Sequence, residues 1–433
     1  MSREDTPLSK GNAVRSDLVV IGLGYVGLPL VVEAGLAGLN VVGLDRASAT
    51  VDRLNSGVSH VDDVSDTAVA ELRARGFTAT TDERVLADTD TVVICVPTPL
   101  SEHGGPDLTM VREACGAVAR HLRPGTLVVL ESTTYPGTTD ELVRPILEQS
   151  GLTAGQDFWL AFSPERVDPG NRAFGIRNTP KVVGGHSPAC ASAAAAFYGK
   201  FVERVVQAAG TREAEMAKLI ENTYRHVNIA LVNEMAVFSH ELGIDLWDAI
   251  SCAATKPFGF QAFRPGPGVG GQCIPIDPNY LAHKVRTLGY PFRMVELAQE
   301  INARMPRYVV ERAQHLLDRA GRTLNGARVL LLGVTYKADI ADHRETPARD
   351  VVRRLRARGA HVSYHDPHVP RWTVDGSPVP AADPDLPTAL GRTDLAVLLQ
   401  HHRAYDTDLI ERHAPLLLDT RGSARPQPHV ERL

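Results

Sequence analysis

The chain has 433 residues, 43% hydrophobic and 22% charged, with a formal net charge of −5. That length exceeds a single hydrophobic core and predicts two or three domains, and the mild acidity excludes a nucleic-acid or anionic-membrane surface as the organising feature. No apolar run reaches bilayer-spanning length, and the polar opening, MSREDTPLSKGNAVRSD, lacks the apolar core of a signal peptide. A cytoplasmic protein with a short disordered lead, residues 1–16, is the expectation. The five cysteines, Cys95, Cys115, Cys190, Cys252 and Cys273, form no CxxC pair, which argues against a disulfide framework or a thiolate zinc site.

Residues 17–21 (DLVVI) read as a strand, followed by Gly22-Leu23-Gly24-Tyr25-Val26-Gly27, a helix over 28–39 and a strand over 40–44 ending at Asp45. Strand, GxGxxG, helix, strand and an acid eighteen residues after Gly27 make a dinucleotide-binding fingerprint. Gly22 serves the tight turn, Gly24 the close approach of a pyrophosphate, and Gly27 the packing of helix on strand. Asp45 suits ribose hydroxyls and so favours NAD over NADP, although Arg46 beside it keeps NADP open. A glycine turn without a ligand, or one for another adenine cofactor, is the alternative.

The alternation continues. Strands are predicted over 91–96, 126–130, 158–162 and 181–184, and helices over 109–121 and 138–149. Ser187-Pro188 reads as an N-cap and first helical residue. This order fits a doubly wound parallel sheet. Pro97, Thr98, Thr133 and Glu165 follow its strands and so fall at the edge where such sheets bind ligands. From Thr211 the pattern becomes helical, with helices over 213–242, 278–288 and 294–317. Lys218 and Asn222 are four apart and share a face. They are either a functional pair or solvated surface. The helical segment would bridge two sheet domains and supply a dimer interface.

Between these helices lies GPGVGGQCIPID, residues 266–277. Glycines let backbone approach a neighbour closely, Cys273 follows them, and Asp277 lies one helical turn further if a helix starts there. A nucleophilic thiol with an acid beside it fits; so does a tight turn with a buried cysteine. A second α/β unit begins at Ala327, with strands over 327–334, 361–365, 394–399 and 416–418, and Thr346-Pro347 capping a helix. The first of these strands lacks GxGxxG and leads into a loop with Lys337, Asp339, Asp342, Arg344 and Glu345, suited to a phosphorylated ligand or simply solvated. His365, His368, His401 and His402 lack metal-ligand spacing, read as surface or loop residues, and no metal is expected.

In order, GLGYVGLPL, ESTTYPG, FSPER, AEMAKLIENTYR, PGPGVGGQCIPID and GVTYKADIADHRETPA resemble the UDP-glucose/GDP-mannose dehydrogenase family from about residue 17 to 366. The resemblance implies two Rossmann-like doubly wound domains joined by a central all-helical dimerisation segment. The implied division is 17–208, 209–323 and 324–433. It implies NAD-dependent oxidation of the C6 alcohol of a nucleotide-linked hexose to the carboxylate, with two NAD reduced. Cys273 matches the family's nucleophile, Asp277 and Glu165 its carboxylates, Lys218 and Asn222 its central-helix pair, and Thr133 its water- and cofactor-holding threonine. Gly22, Gly24, Tyr25, Val26, Gly27, Asp45, Arg46, Pro97, Thr98, Thr133 and Arg344 would then meet NAD. Glu165, Arg166, Lys218, Asn222, Arg264, Gly270 and Lys337 would meet the sugar nucleotide.

Two departures bear on the sugar. Pro169 replaces a second Glu common in members acting on UDP-glucose, and Phe258 replaces an Arg that reaches the partner's sugar. ERVDPGN and KPFGF resemble the branch acting on UDP-N-acetylhexosamines; UDP-glucose and dTDP-glucose stay open. The implied assembly is a homodimer or a multiple of dimers. Two other functions compete: a two-electron hydroxy-acid dehydrogenase, and a non-catalytic nucleotide-sugar or NAD-binding protein.

Overall fold

The computed structural model describes residues 15–101, 105–168, 170–171, 173–271, 274 and 276–433. The lead before Arg15, Pro169 and Cys273, each singled out above, lie outside the described residues. The chain forms two compact units, one of residues 1–98 and 107–218, the other of 99–106 and 219–433.

The first unit is built on β1 (Ser16–Ile21), β2 (Val41–Leu44), β3 (Thr78–Thr80), β4 (Thr89–Ile94), β5 (Leu127–Leu130), β6 (Trp159–Phe162), β7 (Lys181–Gly185) and β8 (Val205–Gln207). Their order in the sheet is β3-β2-β1-β4-β5-β6-β7-β8, parallel except where β6 meets β7. Near-continuous apolar runs such as LVVL in β5 are buried throughout, as expected of parallel strands covered on both faces. Alternate residues feed two cores: Leu18 and Val20 on one face, Val19 and Ile21 on the other. The helices are α1 (Gly27–Leu36), α2 (Ser48–Asn55), α3 (Asp66–Ala74), α4 (Thr109–His121), α5 (Arg144–Leu147) and α6 (Pro188–Tyr198). Ser187 caps α6 and Pro188 opens it, as its sequence requires. The sequence reading passes over α2 and α3, which bury only Val51 and Leu54, and Val69 and Leu72, too few for a periodic signal.

The helix predicted over 138–149 forms in three pieces: a π-turn (Thr139–Val143), α5, and a 3₁₀ turn (Glu148–Ser150). Pro145 has no N–H to continue an α-helical ladder. Glu215 also takes up the N–H groups of Gly137 and Thr139.

The helix α7 (Thr211–Glu241) begins in the first unit, and its residues from Leu219 belong to the second. The second unit adds α8 (Leu246–Ala253), α9 (Asp277–Thr287) and α10 (Arg293–Arg319). Its α/β part comprises β9 (Arg328–Leu332), α11 (Ala348–Ala357), β10 (His361–His365), the ribbon β11 (Thr373–Val374) and β12 (Ser377–Pro378), α12 (Leu386–Gly391), β13 (Leu395–Leu398), α13 (Thr407–His413), β14 (Leu417–Asp419) and β15 (Val430–Arg432). The sheet order is β10-β9-β13-β14-β15, all parallel. Each unit therefore reverses its winding beside its first strand, between β1 and β4 and between β9 and β13. Open α/β sheets place their ligand crevice at such a point. Among the described residues, no helix is long and apolar enough to cross a membrane.

Candidate active-site residues in the two units

In the first unit the glycine turn leaves β1 at the switch point. Gly27 sits so close to the turn that a Cβ there would lie 1.9 Å from the Gly22 carbonyl oxygen and 3.1 Å from Val20 Cγ1. Only glycine allows this packing of helix on strand. A Cβ at Gly24 would meet nothing within 4 Å, which leaves room for a phosphate over the backbone. No side chain caps the N-terminus of α1, so its first-turn N–H groups and partial positive charge suit an anion. Asp45 anchors the turn: Oδ2 accepts from Leu23 N–H and Oδ1 from Ala47 N–H, both at 2.9 Å. An ionised carboxylate has about four acceptor positions, so lone pairs remain for ribose hydroxyls. These residues fit an NAD-type dinucleotide. The Arg46 side chain is 75% exposed, and its Nη1 lies 3.9 Å from Glu113.

Pro97, Thr98, Thr133 and Glu165 leave the same sheet edge, beyond β4, β5 and β6. Ser132 Oγ donates to the Val96 carbonyl at 2.7 Å and ties two of these strand ends together. Glu165 Oε1 accepts from Val167 N–H at 2.5 Å, and its backbone carbonyl accepts from Lys218 Nζ at 2.5 Å. Arg166 Nη1 donates to the Pro180 carbonyl at 2.6 Å. Lys218 is 7% exposed, so the solvated reading of this residue fails. One turn before it, Glu215 is fully buried and accepts from Gly137 N–H, Thr139 N–H and the Thr139 hydroxyl at 2.5, 2.8 and 2.7 Å. Burial pushes its pKa up to about 7 against the pull of these donors. The sequence reading missed Glu215, although its spacing of three from Lys218 puts it on the same face.

In the second unit Asn222 Nδ2 donates to Asp277 Oδ2, and both side chains are buried. Asp277 is the first residue of α9, where a carboxylate is favoured by the helix dipole. The helix α9 starts at the acid itself. The glycine stretch is tied to α7 by Asn233 Oδ1, which accepts from Gly266 N–H at 2.9 Å. The Asn233 amide donates to Asn302 Oδ1 at 2.9 Å. A Cβ on Gly270 would lie 2.7 Å from both the Glu345 carbonyl oxygen and Tyr336 Cβ. The glycines thus let the loop pass tightly over the segment that follows β9.

In that segment Arg344 pairs with Asp342 through Nε and Nη2, both at 2.8 Å. Asp339 pairs with Arg403 Nε at 2.6 Å, and the Lys337 carbonyl accepts from the Thr335 hydroxyl. Thr346 Oγ1 accepts from Ala348 N–H, with Pro347 at the N-cap of α11 rather than inside it. The histidine reading needs correction: His402 is completely buried. Its Nδ1 accepts from Asp339 N–H at 2.9 Å and its Nε2 lies 3.1 Å from Asp366 Oδ2. Asp339, His368 and His402 offer ligand atoms within 4.8 Å of one another, but both ring nitrogens of His402 are already engaged.

Arg264 stacks over Trp247 at 5.6 Å and donates to Ser251. With Arg421, Arg432, Asp245 and Asp248 it lines a cavity of about 400 Å³. Burial lowers the Arg421 pKa to about 10, so it stays charged at neutral pH. Its Nε donates to the Leu399 carbonyl at 2.6 Å. Nothing in its sequence neighbourhood marked it. Of the described cysteines, Cys95, Cys115 and Cys190 are buried and Cys252 is exposed. Burial pushes the Cys95 and Cys115 thiols up, Cys115 to about 12, the reverse of an activated nucleophile.

A switch-point glycine turn with an acid just after its second strand, and a second parallel α/β unit, define a dinucleotide-dependent α/β enzyme. The chain belongs to the UDP-glucose/GDP-mannose dehydrogenase family. The family's NAD binding domain matches residues 16–202, its central domain 212–304 and its UDP binding domain 330–426. It is 37% identical over 354 residues to the UDP-N-acetyl-D-glucosamine 6-dehydrogenase of Pseudomonas aeruginosa, covering 81% of this chain and 83% of that one. The solved UDP-D-ManNAc dehydrogenase of Pyrococcus horikoshii is similar at a TM-score of 0.86, with 32% identity and 96% and 98% of the two chains covered. A UDP-glucose dehydrogenase from Pyrobaculum islandicum gives a TM-score of 0.82 at 27% identity, covering 98% and 100%. The protein is an NAD-dependent nucleotide-sugar 6-dehydrogenase.

Proposed function

We propose that this enzyme oxidises the C6 alcohol of a UDP-N-acetylhexosamine to the uronate through a covalent intermediate on Cys273. The observation that carries the residue roles is the buried polar row on α7. Lys218 is fixed by the Glu165 carbonyl and Asn222 by Asp277. Burying such groups is unfavourable unless they are hydrogen-bonded, so their retention there points to chemistry.

NAD, held by the glycine turn and Asp45, would supply the hydride acceptor for both oxidations, two NAD per sugar. The alcohol first loses a proton and a hydride and becomes the aldehyde. The Cys273 thiolate then adds to the carbonyl carbon, forming a C–S bond and an oxyanion. The Lys218 ammonium and the Asn222 amide stabilise that oxyanion, a contribution of about 3–4 kcal/mol per donor in comparable sites. Loss of the second hydride leaves a thioester. Water, giving its proton to Asp277 or Glu165, breaks the C–S bond and releases the carboxylate and the thiol. Thr133 helps place the cofactor and this water. Asp45 and the glycine turn hold the adenosine and pyrophosphate. Arg166, Arg264, Gly270, Lys337 and Arg344 contribute to ligand binding.

The N-acetylhexosamine assignment is supported by the similarity to the Pseudomonas aeruginosa and Pyrococcus horikoshii enzymes and by Phe258 and ERVDPGN in place of the residues common in UDP-glucose members. A panel of UDP-N-acetylglucosamine, UDP-N-acetylmannosamine, UDP-glucose, dTDP-glucose and GDP-mannose, read by NADH formation, tests it. The expected result is the highest kcat/KM with an N-acetylhexosamine and two NADH per sugar. One NADH per sugar refutes the four-electron reaction, and a preference for UDP-glucose refutes the sugar. The apolar stripe of α7 further supports a homodimer.

A further inference from the structure

Beneath the strand ends of the first unit lies a buried charge cluster that the reaction above does not use. Glu131 is 1% exposed and Lys181 6%. Lys181 Nζ lies 3.0 Å from Glu131 Oε2, and the buried Tyr198 hydroxyl donates to Glu131 Oε1. Lys181 also sits over the Tyr198 ring at 5.0 Å. Removing one member of such a buried pair strands the other charge, whereas replacing both by uncharged groups is often neutral for stability.

The placement of this cluster is specific. Glu131 directly follows β5, two residues before Thr133. Lys181 opens β7, and the residues around it hold the turn after β6. Ser163 Oγ donates to the Val182 carbonyl at 2.8 Å. Lys181 Nζ lies 3.5 Å from the Pro164 carbonyl oxygen. Arg166 Nη1 donates to the Pro180 carbonyl at 2.6 Å. The next carbonyl along, that of Glu165, accepts from Lys218 Nζ. Two buried ammonium groups therefore lie against successive carbonyls of one loop, Lys218 in a short hydrogen bond and Lys181, with Glu131 as counter-charge, at the longer 3.5 Å. We propose that Lys181, locked by Glu131 and Tyr198, is a positioning residue that sets the Pro164–Glu165 backbone and through it the Lys218 ammonium. The inference rests on the reading of Lys218 as an oxyanion donor.

The test is a double-mutant cycle on the full chain, with the nucleotide sugar that the wild type turns over best. Glu131→Gln/Lys181→Met removes both buried charges together. It is expected to melt above Lys181→Met alone and to keep NAD-induced thermal stabilisation, yet to lose at least tenfold in kcat with KM for NAD within twofold. In a Lys218→Met background the same pair should lower kcat no further, because non-additivity marks residues acting through one another. If the pair folds poorly, Glu131→Leu/Lys181→Leu/Tyr198→Phe is read in the same way. A folded pair variant with kcat within twofold of wild type overturns the inference. So does an equal fall in kcat in both backgrounds, as a merely structural role would give. If Lys218→Met itself keeps full turnover, the reading of Lys218 fails, and the positioning role falls with it.

Discussion

In the proposed mechanism, Asn222 and Asp277 make much of the chemistry depend on a single hydrogen bond. The amide donates to the carboxylate, which holds the amide's orientation. Asn222→Asp would set two carboxylates against one another at nearly the same volume. We expect kcat to fall by about 10²–10³, the scale of losing one oxyanion donor, with NAD affinity unchanged. Single-turnover kinetics and NAD titration measure the two separately. Glu215 permits a pH prediction. Burial raises its pKa in the folded state to about 7, above about 4.3 in the unfolded chain. The folded state therefore holds a proton that the unfolded state has lost. The resulting stability is fully present below about pH 4.3 and disappears as pH rises through 7. At about 1.4 kcal/mol per unit this is on the order of 4 kcal/mol. Between pH 5 and 8 the wild-type Tm should fall more steeply than that of Glu215→Gln, which cannot titrate; parallel slopes would refute the assignment.

The helix α7 departs from the ordinary pattern, in which only one face of a helix is apolar and that face meets the core. Ile220, Tyr224, Leu231 and Phe238 recur at helical spacing on one side and are exposed, while the buried side mixes Leu219, Ala230, Val232 and Ala236 with Asn222, His226 and Asn233. An exposed apolar stripe of this kind is the surface through which the proposed homodimer would form. Leu231→Arg/Phe238→Arg is expected to shift the protein from dimer to monomer in analytical ultracentrifugation at micromolar concentration; an unchanged sedimentation coefficient would count against a dimer through α7. The length of α7 could be read from the sequence because it lacks Gly and Pro, but the exposure of its second apolar stripe could not, since periodicity gives a face without saying which way it points. The same limit runs through the site. GxGxxG with Asp45 was legible because local geometry alone demands those residues. Lys218 and Asn222 were visible as a face and ambiguous as to burial. Glu215, Lys181 and Arg421 were invisible because what a buried charge does depends on partners far along the chain: Thr139 for Glu215, Glu131 for Lys181 and Leu399 for Arg421. His402 was misread for the same reason, its partners being Asp339 and Asp366.

At the scale of the whole molecule, cofactor choice becomes a stability measurement. A ligand that binds only the folded chain stabilises it by RT ln(1 + [L]/Kd), about 2.7 kcal/mol at one hundred times Kd. For a cooperative unit of about 200 residues each kcal/mol raises Tm by about 2–4 °C, so saturating NAD should raise the melting temperature of the cofactor-binding unit by about 5–10 °C. NADP should do much less at the same concentration. Its 2′-phosphate would lie against the Asp45 carboxylate, whose oxygens are already fixed by Leu23 and Ala47 N–H and cannot swing aside without releasing the glycine turn. Arg46, with its side chain 75% exposed, is the residue that could offset this repulsion, and solvent screening weakens it. Asp45→Ala removes the repulsion and both backbone anchors together. The variant should therefore melt lower than wild type without ligand, gain less from NAD and lose its discrimination against NADP. Equal stabilisation of the wild type by NAD and NADP would show that Arg46, not Asp45, governs the ribose end of the site.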